Sequence, residues 1–356
     1  MEKLKVGILG ATGMVGQKYI SLLENHPWFE VEHLIASPSS AGKKYSDAVL
    51  GRWHMQKEIP ENIKSQKIFS VADLKTASKN CDFVFSALDS VVAKEFEEKY
   101  AESGIPVVSN ASTHRHTSDV PMIIPEINPE HTEIIPVQQK NRGWKKGFIA
   151  VKPNCSIQSY MIPFFSLYKK FGLKKSIITT MQAVSGAGHP GVSSFDITDN
   201  IIPYIGGEEE KSELEPRKIL GKISGNKIEY NESFKISAHC SRVPVIDGHM
   251  ACVSVEFDEN PGKEEIISEW KNFRGVPQKL RLPSAPSVPI IYKQEQGRPQ
   301  TRLDRDNGNG MAVTVGRLRE CNVLHWRFVG LSHNTVRGAA GGGILNAELL
   351  KAKKYL

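Results

Sequence analysis

The first turn of the chain constrains the fold most. Leu4-Lys5-Val6-Gly7-Ile8-Leu9 reads as a buried strand. It runs directly into Gly10-Ala11-Thr12-Gly13-Met14-Val15-Gly16, and then into an apolar-periodic helix from Gln17 to Leu23. A strand, a glycine turn and a helix in this order open a dinucleotide-binding fold. The glycines keep the turn tight and let the backbone approach a pyrophosphate held on the helix N-terminus. The spacing is G-x-x-G-x-x-G rather than the commoner G-x-G-x-x-G. It assigns Gly10, Thr12, Gly13, Met14 and Val15 to the cofactor.

The second strand selects between cofactors. Phe29 to Ala36 ends in Ser37-Pro38-Ser39-Ser40-Ala41-Gly42-Lys43-Lys44. An NAD site usually has an acidic residue there to hold the ribose 2′-hydroxyl. None is present. Hydroxyls from Ser37, Ser39 and Ser40, followed by two lysines, suit a 2′-phosphate, so the expected cofactor is NADP.

A second motif carries reactivity. In Val151-Lys152-Pro153-Asn154-Cys155-Ser156-Ile157-Gln158 a Pro-Asn turn delivers a cysteine to the expected first turn of a long apolar helix, Ile157 to Phe171. The partial positive charge of a helix N-terminus favours thiolate over thiol. The thiolate is the nucleophile, so Cys155 suits covalent catalysis on an acyl group.

Composition bounds the alternatives. A length of 356 residues suggests two domains, and 40% apolar residues suffice for substantial cores. No run of 18 apolar residues exists, so no membrane span is expected. The first strand leaves no room for a signal peptide, so a cytoplasmic protein is expected. Cys81, Cys155, Cys240, Cys252 and Cys321 are scattered and form no C-x-x-C pair, which argues against a disulfide framework and against a metal site. The formal charge of +7 comes with no basic run interleaved with aromatics. Nucleic-acid binding is therefore not expected, whereas an anionic substrate and cofactor fit the sign.

The first half reads as α/β. Strands at Leu4–Leu9, Phe29–Ala36, Asp82–Ala87 and Val107–Ser109 alternate with helical segments such as Val91–Glu102, which predicts a parallel sheet covered on both faces. Beyond Cys155 the strands at Lys175–Ala183, Phe234–His239, Ala251–Phe257, Ala312–Arg319 and His325–Leu331 predict an α+β domain with a mixed or antiparallel sheet. From Asn334 a glycine-rich helix start runs toward Leu356, and its small residues predict close packing against the first domain. The expected organisation is a Rossmann-like domain at 1–151, a catalytic and dimerisation domain at 152–333, and a tail at 334–356 that returns to the first.

Taken together the motifs resemble a family. The G-A-T-G-M-V-G opening, the P-N-C-S turn, Gln182-Ala183-Val184-Ser185-Gly186-Ala187-Gly188, Arg242 with His249, and Asn334-Thr335-Val336-Arg337-Gly338 resemble aspartate-β-semialdehyde dehydrogenase, most closely its archaeal and fungal branch. The resemblance covers essentially the whole chain in the family's order. It implies NADPH-dependent reduction of L-aspartyl-4-phosphate to aspartate semialdehyde and phosphate. Cys155 would attack the acyl phosphate, with Asn154 and backbone N–H groups holding the oxyanion. Gln182 would orient the acyl intermediate and His249 would serve as acid-base. Arg242 would grip the α-carboxylate with bidentate geometry. Glu208 would take the α-ammonium, with the register among Glu208, Glu209 and Glu210 open. Lys211, Arg115 and Asn110 would hold phosphate. Ser86, Ser185, Gly186 and Asn334 would join the cofactor site. A homodimer or homotetramer is implied as well.

Malonyl-CoA reductase shares the cysteine, glutamine and histidine chemistry, but its substrate lacks an ammonium. The Glu208–Lys211 run and Asn154 before the cysteine favour the amino-acid substrate. N-acetyl-glutamyl-phosphate reductase has a G-C-Y-P context that is absent here, and glyceraldehyde-3-phosphate dehydrogenase is unlike this chain around the cysteine. A non-catalytic NADP-binding regulator would have no use for Cys155, Gln182, Arg242 and His249 together.

Overall fold

The glycine turn has the backbone its sequence requires. In the computed structural model, which describes residues 2–356, β1 (Leu4–Leu9) ends at Gly10, whose φ of +78° is left-handed. A Cβ there would lie 2.7 Å from the Ala87 carbonyl oxygen, so no side chain fits. The next element, α1 (Met14–Leu23), presses Gly16 against the Gly10 carbonyl.

Five further strands join β1: β2 (Phe29–Ala36), β3 (Ile68–Ser70), β4 (Phe83–Ser86), β5 (Val107–Ser109) and β6 (Ile149–Val151). They form one parallel sheet in the order β3-β2-β1-β4-β5-β6. β4, β5 and β6 are buried throughout, as strands covered on both faces must be. Chain order reverses between β1 and β4, and the crevice outside the strands' carboxyl ends at such a switch point is where ligands bind. Between β4 and β5 runs α2 (Ser90–Glu102), whose N-cap Asp89 accepts from the Val91 and Val92 amides.

The second half is a mixed sheet. After α3 (Met161–Phe171) come β7 (Lys175–Gln182), α4 (Glu208–Ile219), β8 (Lys235–Arg242), β9 (His249–Glu256), β10 (Ile290–Lys293), β11 (Val313–Glu320) and β12 (Trp326–Ser332). Their order is β8-β7-β9-β12-β11-β10. β8 runs parallel to β7, and β9 runs antiparallel to both β7 and β12. β7 alternates exposed and buried residues along most of its length, the signature of a sheet with one covered face.

The tail returns to the first sheet. The last helix, α5 (Gly341–Ala352), packs Ile344, Leu345 and Leu349 into the core that holds Val6, Ile8 and Phe85. Gly343 lies against the Tyr19 ring oxygen so closely that any side chain there would overlap it. Arg337, almost wholly buried, donates to both Glu126 carboxylate oxygens at 2.7 and 2.5 Å and to Gln158 at 3.1 Å, which anchors the tail to both halves.

Two helix expectations need correction. Ile157 to Phe171 is not one helix. A single turn at Ile157–Ser159 stops at Tyr160, whose φ of −132° is not helical, and α3 starts at Met161. Pro163 is the cause: inside a longer helix its ring would clash with the carbonyl of Ser159, whereas the first turn of α3 tolerates it. Likewise the tail is an irregular turn at Val336–Ala340 before α5 begins, with Ala339 outside helical geometry.

Candidate active site

Strand register assembles the site. Gln182 ends β7 directly beside Arg242, which ends β8. β9 runs the other way and begins at His249, so all three residues meet at one edge of the second sheet. β6 of the first sheet ends at Val151, and the Lys152–Cys155 turn carries the thiol to the same edge. Between the sheets lies a cleft of about 750 Å³. Thr12, Gly13, Met14 and Val15 line one wall; Cys155, Ser185, Gly186 and Asn334 line the other.

The Cys155 Sγ lies 3.3 Å from His249 Nε2. On the far side of the ring, the Ala183 amide donates to Nδ1 at 3.0 Å. An amide N–H can only donate, so Nδ1 is an acceptor and the neutral ring carries its proton on Nε2, facing the sulfur. Burial holds the His249 pKa down to about 3, reinforced by the charges of Arg242, His333 and Lys152. The ring is therefore neutral near pH 7. The thiol does not have the depressed pKa expected of a helix start. Burial raises it, the Glu208 carboxylate adds to the rise, and Lys152, Arg115 and Arg242 oppose it. With the long helix broken at Tyr160, little helix dipole acts on the sulfur.

Glu208 opens α4 and is the member of the glutamate run that turns inward. Its Oε1 accepts from Asn154 Nδ2 at 2.9 Å and Lys211 Nζ at 2.8 Å, and its Oε2 accepts from Gln182 Nε2 at 3.1 Å. Glu209 instead accepts from the Cys240 amide, and Glu210 is exposed. Asn154 Oδ1 accepts from the Ser156 amide and hydroxyl. The Asn154 amide is held by Glu215 at 2.6 Å. The Cys155 amide has no intramolecular acceptor among the described residues.

Arg115 is buried with three donors engaged: Nη1 to Glu215 at 2.9 Å, Nε to the Lys152 carbonyl and Nη2 to the Asn110 carbonyl. Asn110 Nδ2 donates to the Tyr19 hydroxyl at 2.6 Å, and its buried Oδ1 has no partner. Both residues line the cleft. Arg242 donates to the Ala183 carbonyl at 2.8 Å and forms no ion pair among the described residues. Glycine is required at position 186, because a Cβ there would lie 2.9 Å from both Arg242 Nη1 and the His249 ring.

The sequence reading missed Glu215 and Lys218. Glu215 is fully buried between Arg115 and Asn154, and Lys218 donates to the carbonyls of Arg115, Thr117 and Val120 at 2.6, 2.7 and 2.9 Å. A readable signal existed: Glu208, Lys211, Glu215 and Lys218 recur at helical spacing, on one face of α4. Lys152, beside the Pro-Asn turn, was also missed, as were Arg52 and His54, which line the cleft. Gln17 holds that segment by donating to the Arg52 carbonyl and accepting from the His54 amide.

On the cofactor wall, a Cβ at Gly13 would meet only the Gly10 oxygen at 3.5 Å, so the space over the start of α1 is open. The first-turn amides of α1 face that opening. This cradle fits a pyrophosphate. On the opposite wall, Asn334 donates to the Ser185 hydroxyl and accepts from the Gly248 amide, both at 2.8 Å. Ser37 and Ser39 are exposed beyond the end of β2, their hydroxyls 2.9 Å apart, and Ser40 is buried beside them. Ser86 is not brought to the cleft: its side chain is fully buried at the end of β4, and Ala87 and Leu88 line the wall instead.

Known proteins resemble this chain in sequence and fold. Residues 5–135 match the domain described as "Semialdehyde dehydrogenase, NAD binding domain", and residues 165–337 match "Semialdehyde dehydrogenase, dimerisation domain". The aspartate-semialdehyde dehydrogenase of Methanothermobacter thermautotrophicus is 47% identical over 98% of this chain and 99% of its own. The crystal structure of the Candida albicans aspartate semialdehyde dehydrogenase superposes with a TM-score of 0.91 at 43% identity, covering all of both chains. The Archaeoglobus fulgidus aspartate-semialdehyde dehydrogenase is 48% identical over 99% of this chain and 100% of its own. On that full-length identity the chain belongs to the aspartate-semialdehyde dehydrogenase family.

Proposed function

We propose that this chain reduces L-aspartyl-4-phosphate to L-aspartate 4-semialdehyde with release of phosphate, through a thioester on Cys155, in the biosynthesis of the aspartate-family amino acids. The observation that carries the reading is the Cys155 Sγ at 3.3 Å from His249 Nε2, across one cleft from an open glycine turn. The sulfur attacks the acyl phosphate, phosphate leaves, and the acyl group stays on Cys155. The Cys155 backbone amide and the second N–H of the Asn154 side-chain Nδ2 stabilise the oxyanion. Bound NADPH supplies the hydride that reduces the thioester. His249 donates its Nε2 hydrogen bond to the developing oxyanion and then to the departing sulfur. Gln182 steadies the acyl group from the end of β7.

Each charged handle of the substrate has a candidate partner. Arg242 takes the α-carboxylate, since its guanidinium has no carboxylate of its own. Glu208 takes the α-ammonium, exchanging Lys211 for the substrate. Lys211, Arg115 and Asn110 are left for the phosphate. NADP is the cofactor: the Candida albicans relative was solved with it, and Ser37, Ser39 and Ser40, beyond the end of β2, are read as the partners of its 2′-phosphate. Thr12, Gly13, Met14, Val15, Ser185, Gly186 and Asn334 complete that site.

The cofactor-binding domain is read as 1–151 with 334–356 returning to it, and the catalytic and dimerisation domain as 152–333. Exposed Phe195, Ile201, Tyr204 and Ile177, all in the second half, support a homodimer or homotetramer. No helix among the described residues is long and apolar enough to cross a membrane, and the five thiols are free, which supports a cytoplasmic enzyme.

The test is phosphate-dependent NADP reduction with aspartate semialdehyde, compared with malonate semialdehyde plus CoA. Preference for the first pair is expected. Preference for the second assigns the chain to malonyl-CoA reductase.

A further inference from the structure

The catalytic thiol lacks the usual counter-ion. In many cysteine enzymes an imidazolium balances the thiolate. Here the Ala183 amide occupies His249 Nδ1, so the ring offers the sulfur a neutral Nε2–H. Among the other cations near the site, Arg115 is paired with Glu215 and Arg337 with Glu126. Lys211 is paired with Glu208. Arg242 is read as the carboxylate site.

Lys152 is different. It is only 3% exposed, yet no carboxylate lies within ion-pair distance among the described residues. Its Nζ donates to the Pro153 carbonyl at 2.6 Å and to the Gly338 carbonyl. Two backbone carbonyls leave one of the three ammonium protons without an intramolecular acceptor. Gly338, which holds the ammonium, also packs directly on Cys155: a Cβ at that position would lie 2.8 Å from Cys155 Cβ. Lys152 and Cys155 thus share Gly338 as a neighbour, and all three residues line the same cleft. A buried, unpaired cation is costly, and an anion formed beside it relieves that cost.

We propose that Lys152 is a positioning residue that supplies the counter-charge for the Cys155 thiolate. The thiol proton leaves to solvent through the cleft, Lys152 keeps its own, and the neutral His249 directs a hydrogen bond to the sulfur. Burial opposes both charges, and each partner offsets part of that cost for the other. Burial, then the Arg115 charge, lowers the Lys152 pKa to about 7, and Cys155 and Glu215 oppose the fall. On the sulfur, Lys152 is the foremost of the charges that work against burial and Glu208, ahead of Arg115 and Arg242. Each of the two groups favours the charged form of the other. The proposal rests on Cys155 being the nucleophile, but not on which acyl substrate it attacks.

The experiment measures the rate of iodoacetamide alkylation at Cys155 against pH in the free enzyme, read by peptide mass spectrometry because Cys252 is also exposed. Lys152→Met should move the midpoint up by about one pH unit, a roughly tenfold loss of thiolate at neutral pH. Lys152→Arg should keep the midpoint at or below that of the native enzyme. An unchanged midpoint in the methionine variant, with cofactor binding intact, overturns the proposal. If that variant does not fold, a midpoint in the arginine variant raised by a full unit overturns it equally. Failure of native Cys155 to alkylate would instead remove the nucleophile reading itself, so the two failures are distinguishable.

Discussion

The two walls of the cleft are built from different materials. The wall under the first sheet is backbone: a left-handed glycine, a second glycine pressed on its carbonyl, and the free amides that open α1. The wall under the second sheet is buried side-chain charge, joined by Glu208 and Glu215 across four segments of chain. A backbone wall needs space and tolerates varied side chains around it. A side-chain wall needs each partner, because removing one leaves a buried donor or charge unmatched. Substitutions on the second wall should therefore cost turnover, and those on the first should shift cofactor choice.

Cys155→Ala tests this division most severely. Turnover should fall to a trace, because no other nucleophile among the described residues lies beside His249 Nε2. NADP affinity should stay close to native, since the cradle at Gly10–Val15 is made by other residues. Residual phosphate-dependent activity well above background would mean the reaction does not pass through a thioester.

His249→Asn comes next. Asparagine does not place a donor where the ring's Nε2–H meets the sulfur and the oxyanion, so kcat should drop by about 10²–10³-fold, as on loss of an oxyanion donor. A change in KM alone would make the residue a binding group. The same variant has a second readout. The native ring titrates at about 3 when folded against 6.5 ordinarily. Between those values the unfolded chain binds more protons, so the ring's contribution to stability is present above 6.5 and is lost as pH falls. The asparagine variant should lose less stability than the native enzyme over that interval in pH-dependent denaturant melts.

Legibility followed the same division. The backbone wall is a local pattern, so Gly10, Gly13 and the start of α1 could be read from a few consecutive residues. The P-N-C turn was legible for the same reason. The length of the helix after it was not, because Pro163 acts through the carbonyl of Ser159, a steric effect that apolar periodicity hides. Three-residue strands such as β3 and β6 are too short to show a period. The partnership of Glu215 with Arg115 spans a hundred positions, and only the folded chain brings them together. Ser86 shows the converse: a serine ending a strand can face the core as readily as the cleft.

Glu208→Gln sharpens the second wall. A charge-assisted hydrogen bond of this type contributes roughly 1.5–3 kcal/mol, on the order of tenfold to a hundredfold in kcat/KM. Use of aspartate semialdehyde should weaken by about that factor. An analogue without the amino group should be much less affected, its residual loss reporting the broken contacts to Lys211, Asn154 and Gln182. Equal losses for both substrates would show that Glu208 only organises its neighbours.

Ser39→Asp probes the first wall and should have the smallest effect. Ser39 is exposed and bonded only to Ser37, so the substitution disturbs no core packing. A carboxylate there repels a 2′-phosphate and can accept from a ribose 2′-hydroxyl. Because the site is open to solvent, screening limits the repulsion to about 1 kcal/mol, a severalfold change in Kd. NADP affinity should fall by that factor while NAD affinity holds or rises, with kcat on saturating cofactor unchanged. Lys43 and Lys44 close the same loop, and their charge offsets part of the repulsion, so the discrimination should grow at low salt. Equal loss of both cofactors would mean that the Ser37–Lys44 loop does not read the 2′ position. Selection would then have to come from the glycine turn itself, which is backbone and carries no charge to distinguish the two.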